Sequence, residues 1–426
     1  MNVGARFLLE KVNSHIMNIY KKLHLLTVLS GVASGLTAPI IYIFILDKGI
    51  DISDLGILIT VVSLTMVLFE VPLGLFADRY GKSLTYTLSL IFNVLFSFGV
   101  FYFNDFIYLL LCMIFAGLAM SLASGTIEAM LINGIEEQEN KSIIVQKNVA
   151  NLKSARVVGI VIGAVVSLIA SIMYLYYPSY FTSFDYMEFG FIAMGAMYII
   201  QMPIALSVKD EPFNRRESTS PTFLSTLSHS IVSVKKDKIT RTLMLSTLLF
   251  AMGVIAIEKF WQIRLSELIE ERSLPWLFSV AFICSSLTSL AGHILSVHIC
   301  RFFSNNFNSA LVGCRLVCGT AYFAIFLSES ILMFIICLLV VNFAFSASQS
   351  LLSTLLHENI ENSRRTTLLS YLSCFNQVGG MIGIAVMALV VSGNNISYVF
   401  MASGIVIILS AGFHMNSIFE KNYCPE

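Results

Sequence analysis

Twelve blocks of about 20 mostly apolar residues follow one another along this chain of 426 residues. A block of that length is what the hydrocarbon core of a bilayer requires. They fall near residues 23–46, 55–77, 84–103, 106–131, 151–176, 185–207, 240–265, 274–299, 309–328, 330–356, 366–391 and 396–418. Only Asn104-Asp105 separates the third from the fourth, and Ser328-Glu329-Ser330 the ninth from the tenth. Polar connections that short join antiparallel neighbours. Just 12% of residues are charged, against about a quarter in a soluble domain, so too little is left to build a water-facing surface. The expected fold class is all-α integral membrane, with twelve transmembrane helices in two six-helix halves.

Lys and Arg collect in cytoplasmic loops. With the N-terminus inside, 22 of the 26 basic residues fall on the inner side and four, Lys48, Lys259, Arg264 and Arg272, on the outer. Both termini are therefore expected in the cytoplasm. The first 22 residues carry Arg6, Lys11, Lys21 and Lys22 and show no short apolar core followed by a small-residue cleavage site. The first block is accordingly expected to be retained. The longest polar stretch, with Pro212, Pro221, Arg215 and Arg216, reads as a flexible linker. The expected organisation is a cytoplasmic segment 1–22, a half at 23–207, a linker at 208–239, a second half at 240–418 and a tail at 419–426. Duplicated six-helix halves are a common transporter plan, with the solute site between them.

Net charge is zero, and no basic tract or basic-aromatic interleaving suggests nucleic acid. The eight cysteines form no CxxC pair and mostly lie in or beside apolar blocks, where Cys behaves as a small hydrophobe. No metal or other cofactor is implied.

The connection between the second and third blocks reads Gly74-Leu75-Phe76-Ala77-Asp78-Arg79-Tyr80-Gly81-Lys82-Ser83, after Glu70-Val71-Pro72-Leu73. Each position has a physical role. Gly74 lets its helix approach a neighbour closely, and Asp78 ends the helix at the interface. Gly81 supplies a left-handed turn, while Arg79 and Lys82 anchor to inner headgroups. The loop resembles the signature of the major facilitator superfamily. Ser124-Gly125-Thr126-Ile127-Glu128-Ala129 and Arg364-Arg365-Thr366-Thr367-Leu368-Leu369-Ser370 are similar to stretches of its bacterial drug-exporter-like members. The resemblance implies a bacterial cytoplasmic-membrane transporter whose helices 1, 4, 7 and 10 line a central cavity. On that basis Tyr42, Trp261, Asn342 and Gln349 are wall candidates. The antiporter members carry a Gly-Pro in helix 5, which Gly159-Ile160-Val161-Ile162-Gly163-Ala164 lacks.

An ionisable residue inside a span is a functional candidate by default. Glu70 lies two turns before Asp78, about 12 Å deeper. It reads either as a proton-coupling carboxylate or as a hydrogen-bonded group of the inner gate. Glu128 and Arg156, near the inner ends of adjacent spans, read as a salt bridge between helices 4 and 5 or as solute contacts. Glu258 binds a proton or cation, or sets rim electrostatics. Gly31, Gly35 and Pro39 suggest a bendable helix 1.

The leading expectation is a monomeric secondary transporter exporting a small amphipathic molecule such as a drug, toxin or siderophore-like metabolite. Its expected partners are that solute, protons and the lipid bilayer, and no P-loop or enzyme motif is seen. Uptake of a nutrient such as a sugar or organic acid would need a cavity rich in hydroxyls or charge, and few such groups are read on the lining helices. A membrane sensor or immunity protein that binds without translocating is the third reading.

Overall fold

In a computed structural model the chain is described over residues 3–133, 141–181, 185–208, 238–269, 274–359, 362–391 and 396–415. Fourteen α-helices occupy the described residues: α1 (Val3–Thr37), α2 (Ile41–Asp47), α3 (Ile52–Tyr80), α4 (Lys82–Tyr102), α5 (Phe106–Ala123), α6 (Thr126–Asn133), α7 (Lys141–Tyr176), α8 (Tyr186–Leu206), α9 (Lys238–Leu268), α10 (Trp276–Phe302), α11 (Phe307–Phe326), α12 (Ile331–Asn359), α13 (Asn362–Val391) and α14 (Ser397–Met415). No strand occurs among them. Ten helical stretches are long and apolar enough to cross a membrane. A bent pair, α1 with α2, and the shorter apolar stretch Ser397–Phe413 complete twelve. Most of the expected linker and the C-terminal tail lie outside the described residues.

The first span is broken where Pro39 removes a backbone donor. α1 stops at Thr37, α2 begins at Ile41, and the two are bent by 43°. The first-turn N–H groups of a new helix have no intrahelical acceptor and in lipid must find another partner, and the Tyr42 amide donates to Gln262 Oε1 on α9 at 3.1 Å. The fourth span is interrupted at Gly125, whose φ of +67° separates α5 from α6. α8 starts at a capping box: the Asp185 amide donates to Glu188 Oε2 at 3.0 Å while the Asp185 carboxylate caps the first turn.

The chain divides into two compact units, one of residues 1–41 and 61–218, the other of 42–60 and 219–426. In the first, α1 packs on α7 and α8, and α4 packs on α5 and α8. In the second, α9 packs on α13 and α14, and α11 packs on α12 and α14. The second set of helices thus repeats the pairing of the first, as a duplicated half predicts.

Glycines set the tightest pairs. A Cβ on Gly31 or Gly35 would overlap the carbonyl oxygen of Arg156 or Ile160 on α7, and one on Gly159 or Gly163 would overlap that of Val28 or Val32 on α1. Two small-xxx-small faces therefore meet head on. On α13, Gly379 and Gly383 bear the same relation to the Leu248 and Met252 carbonyls of α9. The bend falls at Pro39, while Gly31 and Gly35 pack directly against α7. Gly74 departs from its expected role: a Cβ there would meet nothing within 4 Å.

Polar groups inside each unit are tied across helices. In the first, Tyr86 and Ser30 hydroxyls lie 2.7 Å apart, and Ser30 Oγ donates to Gln201 Oε1 at 2.7 Å. That knot joins α4, α1 and α8. In the second, Arg315 of α11 is fully buried. Its guanidinium donates to Ser246 Oγ on α9 and, at 3.3 Å, to the Ser410 carbonyl on α14. It also sits 4.5 Å from the Phe250 ring centroid, which stacks on Phe345 of α12.

Candidate functional site

A cavity of about 350 Å³ opens in the second unit, within the size range of small-molecule sites. Three helices wall it, each through residues at helical spacing. α9 contributes Glu258 and Trp261 at i, i+3, with Lys259 and Ile257 beside them. α10 contributes Phe282, Ser285, Ser286 and Ser289, which are i, i+3, i+4 and i+7 on one face. From α12 come Leu338 and Asn342 at i, i+4.

The polar atoms have defined partners. Asn342 Nδ2 donates to the Leu338 carbonyl at 2.8 Å and Ser286 Oγ to that of Phe282 at 2.9 Å. Ser289 Oγ lies 2.6 Å from Ser346 Oγ. Ser285 Oγ is buried and has no hydrogen-bond partner among the described residues. A buried hydroxyl left unsatisfied costs free energy, and a solute in this cavity can supply the missing bond. Lys259 donates to the Tyr42 hydroxyl, with the Glu258 carboxylate beside it. Trp261 is 7% exposed and its ring centroid lies 6.4 Å from that of Phe278.

The structure thus brings Glu258, Trp261 and Asn342 to one cavity and places Tyr42 against its Lys259. Gln349, half-buried two turns beyond Asn342, is not among the lining residues. The sequence reading does not reach the serines of α10, because the resemblance assigns the lining to helices 1, 4, 7 and 10. The signal was present as Cys284-Ser285-Ser286-Leu287-Thr288-Ser289, a polar stripe in an apolar block. The sequence reading of few hydroxyls on the wall is corrected accordingly. Gln262, fully buried, was also missed.

Several candidates lie in the first unit. Glu70 is half-buried on α3, with its Oε2 shielded from solvent. Asp78 and Arg79 are exposed, and the helix runs two residues past Asp78 to Tyr80. The turn falls instead at Gly81, with φ of +96°, as its expected role requires. Arg79 lies 5.4 Å from the Tyr80 ring centroid, and Lys82 opens α4. The ion pair made by Glu128 is with Lys153, at 3.8 Å, rather than with Arg156, which lies one turn further along α7 and is exposed. Both pair members are substantially exposed, so the pair adds little stability.

Comparison with known proteins agrees with this architecture. A curated relative, the uncharacterized MFS-type transporter YxaM of Bacillus subtilis (strain 168), is 26% identical over 254 residues, 59% of this chain and 60% of the relative. The aligned region thus spans about three fifths of the relative's length. The crystal structure of the nucleoside transporter NupG superposes with a TM-score of 0.74 at 15% identity, covering 95% of this chain and all of that one. A bacterial homolog of the human lysosomal transporter Spinster, inward-facing and occupied, gives 0.68 at 14% identity over 93% of this chain and 95% of that one. These two likenesses establish the fold. The model of the Major Facilitator Superfamily matches residues 23–367, and the chain belongs to that family.

Proposed function

We propose that this protein is a secondary transporter working by alternating access in a bacterial cytoplasmic membrane, as a monomer with both termini inside. Its solute is a small, hydrogen-bonding molecule with one ring-like or apolar face, and its driving force is the proton gradient. The observation that carries the reading is the wall of Ser285, Ser286, Ser289 and Asn342 facing the same cavity as Trp261. Hydroxyls and an amide give directional bonds, and an indole face accepts a sugar or heterocycle edge-on or stacked. The nucleoside transporter NupG carries solutes of that general chemistry on the same fold. Export of an amphipathic molecule is a second reading, favoured by Trp261, Phe282, Leu338 and Ile257 on the same wall.

The test is reconstitution in liposomes loaded with a pH dye, with uridine, glucose and ethidium added in turn under an imposed pH gradient. Movement of uridine or glucose with a proton signal supports the first reading, and ethidium alone the second. Glu70→Gln run alongside examines Glu70 as a coupling carboxylate. Binding of a solute without flux would point to a sensor instead.

A further inference from the structure

The seam between α10 and α12 carries a histidine–serine pair that lies beyond the solute cavity and borders it at Ser289. Gly292 packs so closely on α12 that a Cβ would overlap the Phe343 carbonyl oxygen. On either side of that contact a hydrogen bond crosses the seam. Ser289 Oγ meets Ser346 Oγ at 2.6 Å, and His293 Nδ1 meets Ser350 Oγ at 2.8 Å. Ser289 and His293 are one turn apart on α10, as are Ser346 and Ser350 on α12, about 6 Å in each case. Ser289 lines the cavity. His293 is exposed on its unit and, at i+4 from Ser289 and i+7 from Ser286, lies on the face of α10 that lines the cavity.

We propose that His293 is a proton-binding site whose charge state is relayed through Ser350 and Ser346 to the cavity at Ser289. Imidazole is the side chain whose ordinary titration falls between about pH 5 and 8. The neutral ring can accept the Ser350 hydroxyl proton at Nδ1. On taking a proton from water, both ring nitrogens donate, and Ser350 Oγ must accept instead. Its own hydroxyl proton then turns to the carbonyl one turn back, that of Ser346, the usual alternative for a helical serine. This rearrangement acts beside Ser346–Ser289 and at the closest approach of two helices, where packing yields least. Only N–H and O–H hydrogen bonds change, and the proton is returned to water when the ring neutralises.

Among the described side chains of α12, residues 331–355, Cys337 is the one titratable group. α10 itself adds Cys284, His298, Cys300 and Arg301, and α11, which touches α10, adds Cys314, Arg315, Cys318 and Tyr322. Across the cavity stand Glu258 and Lys259 of α9.

The proton site is tested without any solute, separately from the transporter reading. The chain has two tryptophans, so Trp276→Phe leaves Trp261 in the cavity wall as the sole reporter. Its emission is followed from pH 5 to 8 in the purified full chain in detergent. One inflection is expected, absent in His293→Gln and moved by about half a pH unit in Ser350→Ala. An unchanged inflection in His293→Gln, or a flat trace in the parent, overturns the proposal. Ser350→Ala keeps it testable if the histidine variant does not fold, since an unmoved midpoint there also overturns it. If the ring titrates but no solute moves protons in liposomes, the site stands and the transporter reading falls.

Discussion

Arg315 holds a full charge in the second bundle with no carboxylate within ion-pair distance among the described residues. Its Nε and Nη2 have no hydrogen-bond partner among the described residues. Burying such a charge is costly, and apolar replacements of like volume are often neutral or stabilising. Arg315→Met should therefore leave the melting temperature in detergent unchanged or higher, whereas Arg315→Ala should lower it by leaving a cavity. If Arg315→Met unfolds the protein, the bonds to Ser246 and Ser410 outweigh the desolvation cost. In the cavity the relevant unit is one neutral hydrogen bond, about 0.5–1.5 kcal/mol. Asn342→Ala is expected to raise the KM for a transported solute roughly 2- to 10-fold with little change in melting temperature. A KM that does not move would place the solute elsewhere.

At the scale of elements the contrast is between Gly35 and Gly74. Overpacking costs about 1–3 kcal/mol where neither neighbour can move, and at Gly35 the obstacle is backbone of α7. Gly35→Leu should sharply reduce folded protein by size-exclusion chromatography, while Gly74→Ala should match the parent. Equal behaviour of the two would contradict the packing described. At the broken span, Gln262→Ala leaves the Tyr42 N–H without its acceptor. A loss of about 1–3 kcal/mol is expected for an unsatisfied buried donor, read as a fall in thermal midpoint, and Gln262→Glu should recover part of it.

For the whole molecule the testable quantity is orientation. The split of basic residues, 22 against 4, predicts that a cysteine placed at Lys48 is labelled by an impermeant maleimide in intact cells. One placed at Lys82 should react only after permeabilisation. The reverse pattern would invert the protein in the membrane.

The spans, their number and the signature turn at Gly81 were legible in the sequence, because bilayer thickness fixes the length of an apolar block and charge breaks it. The break at Pro39 was legible too, but not the acceptor that takes the Tyr42 N–H beyond it, since Gln262 lies 220 residues away. Likewise Glu128 shows a choice of cations on α7, and only rotation of that helix selects Lys153. The cavity wall was half visible: Trp261 and Asn342 stand out singly, whereas Ser285, Ser286 and Ser289 become a site only when α10 turns that face toward α9 and α12. Sequence alone determined that this chain crosses a bilayer and where, because water and lipid sort residues locally. Which faces meet was decided by tertiary structure, because helix packing depends on glycine contacts and cross-helix hydrogen bonds between residues far apart in the chain.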